Sequence, residues 1–145
     1  MTLTVSVTGD LAACHALRRT VFIEEQQVPE ELEMDDKDGG ALHFLAVLDG
    51  TPVGTARVLL SATEAKIGRV CVLAEHRGTG IGKALMHSAM ATLRDDPTVT
   101  QAVLSAQISA LGFYEALGFV AEGPIYDDAG IPHRTMRCDL NRVRP

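Results

Sequence analysis

No stretch of about 18 apolar residues, the length a helix needs to cross a bilayer, occurs in the chain. Its opening residues, Met1-Thr2-Leu3-Thr4-Val5-Ser6, lack the basic start and long apolar core of an export signal. A cytoplasmic protein with no membrane partner is expected. Cysteine is sparse. Cys14, Cys71 and Cys138 are odd in number, far apart and in no C-x-x-C pair, which argues against disulfides, zinc and dithiol redox work. No metal is expected, and the thiols are expected to be reduced. Basic charge is short as well, with 13 Lys and Arg against 19 Asp and Glu for a net charge of −6. Such a field opposes binding to nucleic acid and offers an anionic membrane nothing. Linkers, repeats and low-complexity segments are missing too. What remains is 145 residues, 46% apolar and 22% charged, enough for one core, so residues 1–145 are read as a single domain.

Glycine is concentrated at Arg77-Gly78-Thr79-Gly80-Ile81-Gly82. This segment lies between the apolar run Ile67-Gly68-Arg69-Val70-Cys71-Val72-Leu73 and a helix-like stretch at 83–94. A strand that empties through glycines into a helix leaves backbone N–H groups unpaired, with the positive end of the helix dipole behind them. That arrangement suits a phosphate-bearing ligand. A dinucleotide loop, G-x-G-x-x-G, fails because Lys83 or Leu85 stands where its third glycine belongs. A nucleotide P-loop fails because only three residues separate Gly78 from Gly82 and because Ala84 cannot ligate magnesium. The remaining alternative to a ligand site is a plain glycine-rich turn.

The Arg-x-x-Gly-x-Gly pattern of Arg77, Gly80 and Gly82, followed by a helix, resembles the pyrophosphate loop of the GNAT superfamily of acetyl-CoA-dependent N-acetyltransferases. The resemblance implies acetyl-CoA as co-substrate, its diphosphate held by the N–H groups of Arg77, Gly78, Thr79, Gly80, Ile81 and Gly82. It implies that Val70, Cys71 and Val72 pair like a sheet edge with the pantetheine amides, and that an N–H near Val72 donates to the thioester oxygen. Further on, Ala110, Phe113, Tyr114 and Leu117 share one face at helical spacing, and Gly118 suits the left-handed residue that ends a helix. A Tyr followed by three residues and Gly118-Phe119 resembles the superfamily motif whose tyrosine protonates the departing thiolate. Tyr114 is then the catalytic acid, the alternative being a tyrosine that only packs. Gln107 stands where the family often contacts the pantetheine or adenosine portion, the alternative being a glutamine that caps the helix.

Upstream, Arg18-Arg19-Thr20-Val21-Phe22-Ile23-Glu24-Glu25-Gln26-Gln27-Val28-Pro29, then Glu33-Met34-Asp35-Asp36-Lys37-Asp38 and His43, resemble the ElaA-like branch of that superfamily. Gly130-Ile131-Pro132-His133 does so as well. The implied reaction is direct attack by an amine in a ternary complex, with a small-molecule or peptide acceptor, and the negative field suits an amine-bearing one. Many members carry a glutamate on the strand before the glycine loop, but here that stretch offers Arg69 and no carboxylate. The candidates for base or substrate contact are therefore Glu24, Glu33, Asp35, His43, Arg69 and His133, histidine being attractive because its pKa of about 6.5 lies near working pH. For Arg69 two roles stand open, binding a substrate carboxylate and pairing with an acidic neighbour. Two rival readings stand: an acyl-homoserine-lactone-synthase-like enzyme, which the Glu33, Asp35, Asp38 spacing also resembles, and a non-catalytic acyl-CoA sensor. Monomer and homodimer are both open.

Periodicity predicts strands at 3–8, 42–48, 53–60, 67–73, 99–106, 119–122 and 134–140. Helices are predicted at 11–25, with Asp10 as the N-cap, 81–94 and 108–117. Asp49-Gly50-Thr51-Pro52 signals a hairpin, and the acidic run to Gly40 reads as a solvated loop with at most a short helical turn. Periodicity alone supports α/β or α+β. The resemblance sharpens this to a mixed, largely antiparallel sheet of about six to seven strands with helices on both faces, two parallel strands splaying apart to admit the coenzyme.

Overall fold

The computed structural model describes residues 2–142. Along the chain run β1 (Leu3–Thr8), α1 (Leu11–Arg18), α2 (Glu30–Glu33), β2 (Leu42–Leu48), β3 (Thr51–Ser61) and β4 (Glu64–Val72). Then follow α3 (Ile81–Arg94), β5 (Gln101–Gln107), α4 (Leu111–Glu115), β6 (Val120–Asp128) and β7 (Ile131–Asp139). The seven strands form one sheet in the order β1-β2-β3-β4-β5-β7-β6, and every neighbouring pair is antiparallel except β4 with β5. The mixed, largely antiparallel sheet is as expected.

Strand alternation distributes the core to two sides. Phe44 and Ala46 of β2 pack into the cluster with Leu85, Met86, Ala89 and Leu93 of α3, whereas Leu45 packs with Cys14, Leu17 and Val21 on the α1 side. So helices cover both faces. Gly54 is the contact that lets α3 approach: a Cβ there would sit 3.0 Å from both the Cys71 carbonyl oxygen and Leu85 Cδ1.

Helix α1 begins as its sequence implies, with the Asp10 carboxylate accepting from the Ala13 N–H at 3.1 Å. Its predicted continuation to residue 25 differs in winding. Arg19–Glu25 is a π-helix, and the Gln26 N–H reaches back five residues to the Val21 carbonyl at 3.0 Å. The β2–β3 turn is confined to Asp49 and Gly50, both at positive φ (49° and 85°). Thr51 and Pro52 belong to β3, with Pro52 opposite Val47 beside a register shift, where the ladder tolerates a missing N–H. The predicted helix at 108–117 is shorter, a 3₁₀ turn followed by α4. Strands β6 and β7 are longer than expected and meet at a two-residue turn, Ala129-Gly130, again at positive φ (54° and 81°).

One departure from regular pairing positions the site. β4 and β5 are paired only from Glu64↔Gln101 to Ile67↔Leu104, although β4 runs on to Val72 and β5 to Gln107. β5 stays with β7 as far as Gln107↔His133, while β4 stays with β3 through an irregularity at Thr55/Arg57. Beside that irregularity Arg69 has a φ of 52°. A bulge re-aims a strand, and here the two parallel strands part.

Candidate functional site

A cavity of about 470 Å³ fills the opening. One wall is residues 68–72 of β4, and facing it are Leu104, Ser105 and Gln107 of β5 with His133 of β7 behind. Phe113 and Tyr114 close one end beside Arg77 and Gly82, whereas Glu33, Asp35, Arg57 and Lys66 stand on the β3 side.

The glycine loop gives way to α3 with Gly78 and Gly80 at φ of 78° and 89°, backbone that a side chain would strain. Gly80 is the N-cap and no side chain caps the helix, so its first N–H groups are left to other acceptors. Thr79 Oγ1 donates to the His76 carbonyl at 2.6 Å, and Ile81 is buried under the sheet. Gly82 lies where a Cβ would touch Phe113 Cζ at 3.5 Å and Val72 Cγ2 at 3.8 Å. The Arg77 side chain is engaged elsewhere: its Nη atoms donate to both Glu25 oxygens (2.5 and 2.7 Å) and its Nε to the Val72 carbonyl at 2.9 Å. Its backbone N–H is taken as well, donating to the Ala74 carbonyl at 3.3 Å, so the expected Arg77 N–H contact to a diphosphate is not on offer.

Along β4 the polarity of the edge follows from alternation. The Leu73 N–H donates to the Val53 carbonyl on β3 at 2.9 Å, so the N–H groups of Val72 and Val70 point to the unpaired side. Cys71 is buried and its thiol is pushed up to about 12 by that burial. It is not a thiolate.

Tyr114 packs edge-to-face on Phe113 and Phe119, with centroids at 5.0 and 6.1 Å. Burial pushes its hydroxyl up to about 12, so it keeps its proton at neutral pH. Gln107 Nε2 donates to Gln26 Oε1 at 2.9 Å, joining β5 to the segment after the π-helix. Gln26, Arg57, Lys66 and Phe113 line the cavity without having been singled out from sequence. Their signal was weak, since each becomes informative only once the fold gathers them around one cavity.

The base candidates separate. Glu24 is exposed and lines no part of the cavity, and buried His43 does not reach it either, its Nε2 meeting the Asp38 carbonyl oxygen at 2.9 Å. Glu33 is buried against Arg18 Nε at 2.5 Å. Asp35 accepts from both Arg57 Nη atoms at 2.8 and 3.0 Å. Burial alone would raise the Asp35 carboxyl, but those bonds hold it below the usual range, and such a group is a poor base. His133 lines the cavity, with Nδ1 2.7 Å from the Ile131 carbonyl oxygen. That acceptor fixes the proton on Nδ1 and leaves the Nε2 lone pair as the basic one. Arg69 donates to the Glu33 carbonyl at 3.0 Å and more weakly to Asp35 at 3.4 Å.

The acidic run is therefore not the solvated loop its composition suggested. Glu33 and Asp38 are buried, and Asp38 meets Arg18 at 2.9 Å, Arg57 at 3.1 Å and His15 at 2.9 Å. Arginines from α1 and β3 draw the segment inward. Among the described residues no His, Cys, Asp and Glu group has the arrangement to hold a metal ion, and no helix is long and apolar enough to cross a membrane.

The family model described as Acetyltransferase (GNAT) domain matches residues 8–140. The protein YyaT of Bacillus subtilis (strain 168) is 33% identical over 141 residues, 95% of each chain. Protein ElaA of Escherichia coli (strain K12) is 33% identical over 136 residues, covering 91% of this chain and 89% of its own. The crystal structure of Escherichia coli ElaA matches with a TM-score of 0.86 at 28% identity, over 95% of this chain and 100% of that one. A crystal structure of an acyl-CoA N-acyltransferase from Pseudomonas aeruginosa matches with a TM-score of 0.81 at 32% identity, over 94% and 98%.

Proposed function

This chain belongs to the GNAT acetyltransferase family, in its ElaA-like branch, and from that membership we propose that it moves the acetyl group of acetyl-CoA to the amine of a small acceptor by direct attack in a ternary complex. The observation that carries this reading is the splay of β4 from β5, which opens an unpaired backbone edge into the same cavity as Tyr114 and Gly82. The fit of the co-substrate is supported by the uncapped start of α3 and by the two positive-φ glycines before it, a cradle of N–H groups suited to a diphosphate. Acetyl-CoA supplies the thioester. The loop 77–82 anchors it, and Val70 and Val72 offer backbone to its amide-bearing arm, whereas the backbone of Cys71 is turned to Thr55 of β3.

Acyl transfer to an amine requires a neutral nucleophile, charge stabilisation at the thioester oxygen and a proton for the sulfur. The Val72 N–H faces the open side and is the donor assigned to the oxygen. Tyr114 is the acid: its hydroxyl is protonated at working pH and has no hydrogen-bond partner among the described residues. His133 is the base we favour among the candidates, because it lines the cavity and its Nε2 lone pair is left free by the Nδ1 contact. No acyl-cysteine is needed, which agrees with the neutral, buried Cys71 thiol. Tyr114→Phe should leave acetyl-CoA affinity intact and lower kcat by about 10²-fold, as for loss of a single general acid. Thiol release from acetyl-CoA over a panel of amines measures this. A full-speed Phe variant removes the proton-donor role, and binding of acetyl-CoA with no thiol release from any amine favours the sensor instead.

A further inference from the structure

Building on the acyltransferase reading, we propose that the acceptor carries a carboxylate or comparable anion besides its amine, and that the Arg69 guanidinium, in a cavity that Lys66 of the same strand also lines, receives that anion. Three observations converge on this wall of the cavity.

The first is strain. Arg69 holds a φ of 52° in the middle of a strand, a conformation unfavourable for any residue but glycine. The chain keeps a long cation there, and Arg69 lines the cavity. The second is unused donor capacity. Nη2 makes all the hydrogen bonds of Arg69, to the Leu32 and Glu33 carbonyls and to Asp35, whereas Nε is buried without a partner and lies 3.7 Å from the nearest Glu33 oxygen. Nη1 also has no partner among the described residues. Buried Nε is shut off from the cavity, so the donor left for a planar oxyanion is Nη1.

The third is charge. The carboxylates of Glu33, Asp35 and Asp38 balance Arg18, Arg57 and Arg69, so the buried network is neutral by itself. Lys66 and Lys37 also line the cavity, and neither is ion-paired among the described residues. Asp128 lines the cavity too, so the two lysines face one further carboxylate and the lining keeps a smaller excess of positive charge, in a protein of net charge −6. An acceptor with amine alone would meet repulsion there, while one that also bears an anion would be oriented by it. The anchor lies three residues back along β4 from Val72, roughly 10 Å of strand away from the thioester oxygen's donor. Anion and acyl donor thus occupy different arms of one cavity.

The test uses matched acceptors with the intact protein: amino acids, dipeptides and amino sugar acids, each beside its carboxamide. The amide lowers the basicity of a neighbouring amine, so an enzyme blind to the carboxylate would acetylate the amide faster. We expect the acids to be favoured at least tenfold in kcat/KM. Arg69→Gln should collapse that preference, chiefly by raising KM for the acids about 10- to 100-fold, the loss of a charged hydrogen bond, and Arg69→Lys should restore part of it. Unaltered acetyl-CoA affinity of both variants shows that the fold and the donor arm are intact. Equal use of acids and amides by the natural protein, or an equal loss on both in Arg69→Gln, overturns the proposal while acyltransfer stands. Absence of thiol release with every amine overturns acyltransfer, and this inference falls with it.

Discussion

Asp38 is met by three basic side chains, Arg18, Arg57 and His15, and its backbone carbonyl faces His43 as well. Burial alone would raise its carboxyl, but the hydrogen bonds from Arg18, His15 and Arg57 outweigh this and hold it far below the ordinary carboxylate range. The folded pKa is thus depressed, so the stabilisation is complete above the unfolded value of about 3.9 and fades as pH falls towards the folded one. Asp38→Asn leaves Arg18 without its full complement of charge and should cost about 3 kcal/mol at pH 7. Urea unfolding of both proteins checks it: the gap should narrow by pH 3, and a gap independent of pH would contradict the assignment. None of this was legible in the acidic run itself. Composition marks residues 30–38 as polar, but what buries Glu33 and Asp38 is Arg18 from α1 and Arg57 from β3, partners 15 to 20 residues away along the chain. A pairing decided by tertiary structure leaves no local trace. Tyr114 differs, because its motif lies within one turn and a cap.

That turn and cap show what short-range chemistry does specify. Gly118 has a φ of 100°, its N–H donates to the Glu115 carbonyl at 3.0 Å and the next N–H, of Phe119, to the Tyr114 carbonyl at 3.1 Å. This is the paired closure of a Schellman motif, with Gly118 as the left-handed residue and Phe119 carried into the core. It fixes α4, and with it the backbone of Tyr114. Gly118→Ala has room for its Cβ, whose nearest contact is Cys138 Sγ at 3.9 Å, so the penalty is conformational. Thermal unfolding should register a loss of about 1 kcal/mol or slightly more, with a smaller loss of turnover; unchanged stability would mean that the cap does not constrain the helix. Elements with such punctuation were readable: the Asp49-Gly50 turn, the Asp10 cap and α3, whose apolar residues recur every four until Asp95. The π-helix was not, because Val21-Phe22-Ile23 presents the same apolar run to a 3.6- or a 4-residue turn. Strand β6 was underestimated for the opposite reason: it is an edge, nearly all exposed, broken by a shift between Glu122 and Tyr126, and shows no alternation to read.

At the scale of the molecule the sheet divides labour at the β4–β5 parting. Strands β1 to β4 form a block clamped between α1 and α3, while β5, β7 and β6 form a second block that carries His133 and leads into Tyr114. Four paired positions at one end join the blocks directly. At the other end one side-chain bridge spans the gap, Gln26 with Gln107, and Glu25, the residue before Gln26, is held by Arg77 beside the end of β4. A ligand lying in the opening would contact both blocks at once and exists only in the folded chain, so it should stabilise the whole. At a free acetyl-CoA concentration of about 100 Kd, linkage gives about 2.7 kcal/mol, a rise in Tm of roughly 5–10 °C for a domain near 150 residues. Gly80→Asp places a carboxylate at the uncapped start of α3, where the diphosphate would lie, and strains a φ of 89° besides. That variant should keep a cooperative transition, somewhat lowered, and lose the acetyl-CoA shift entirely. Differential scanning calorimetry with and without acetyl-CoA decides the matter, and an undiminished shift in the variant would move the donor site away from the glycine loop.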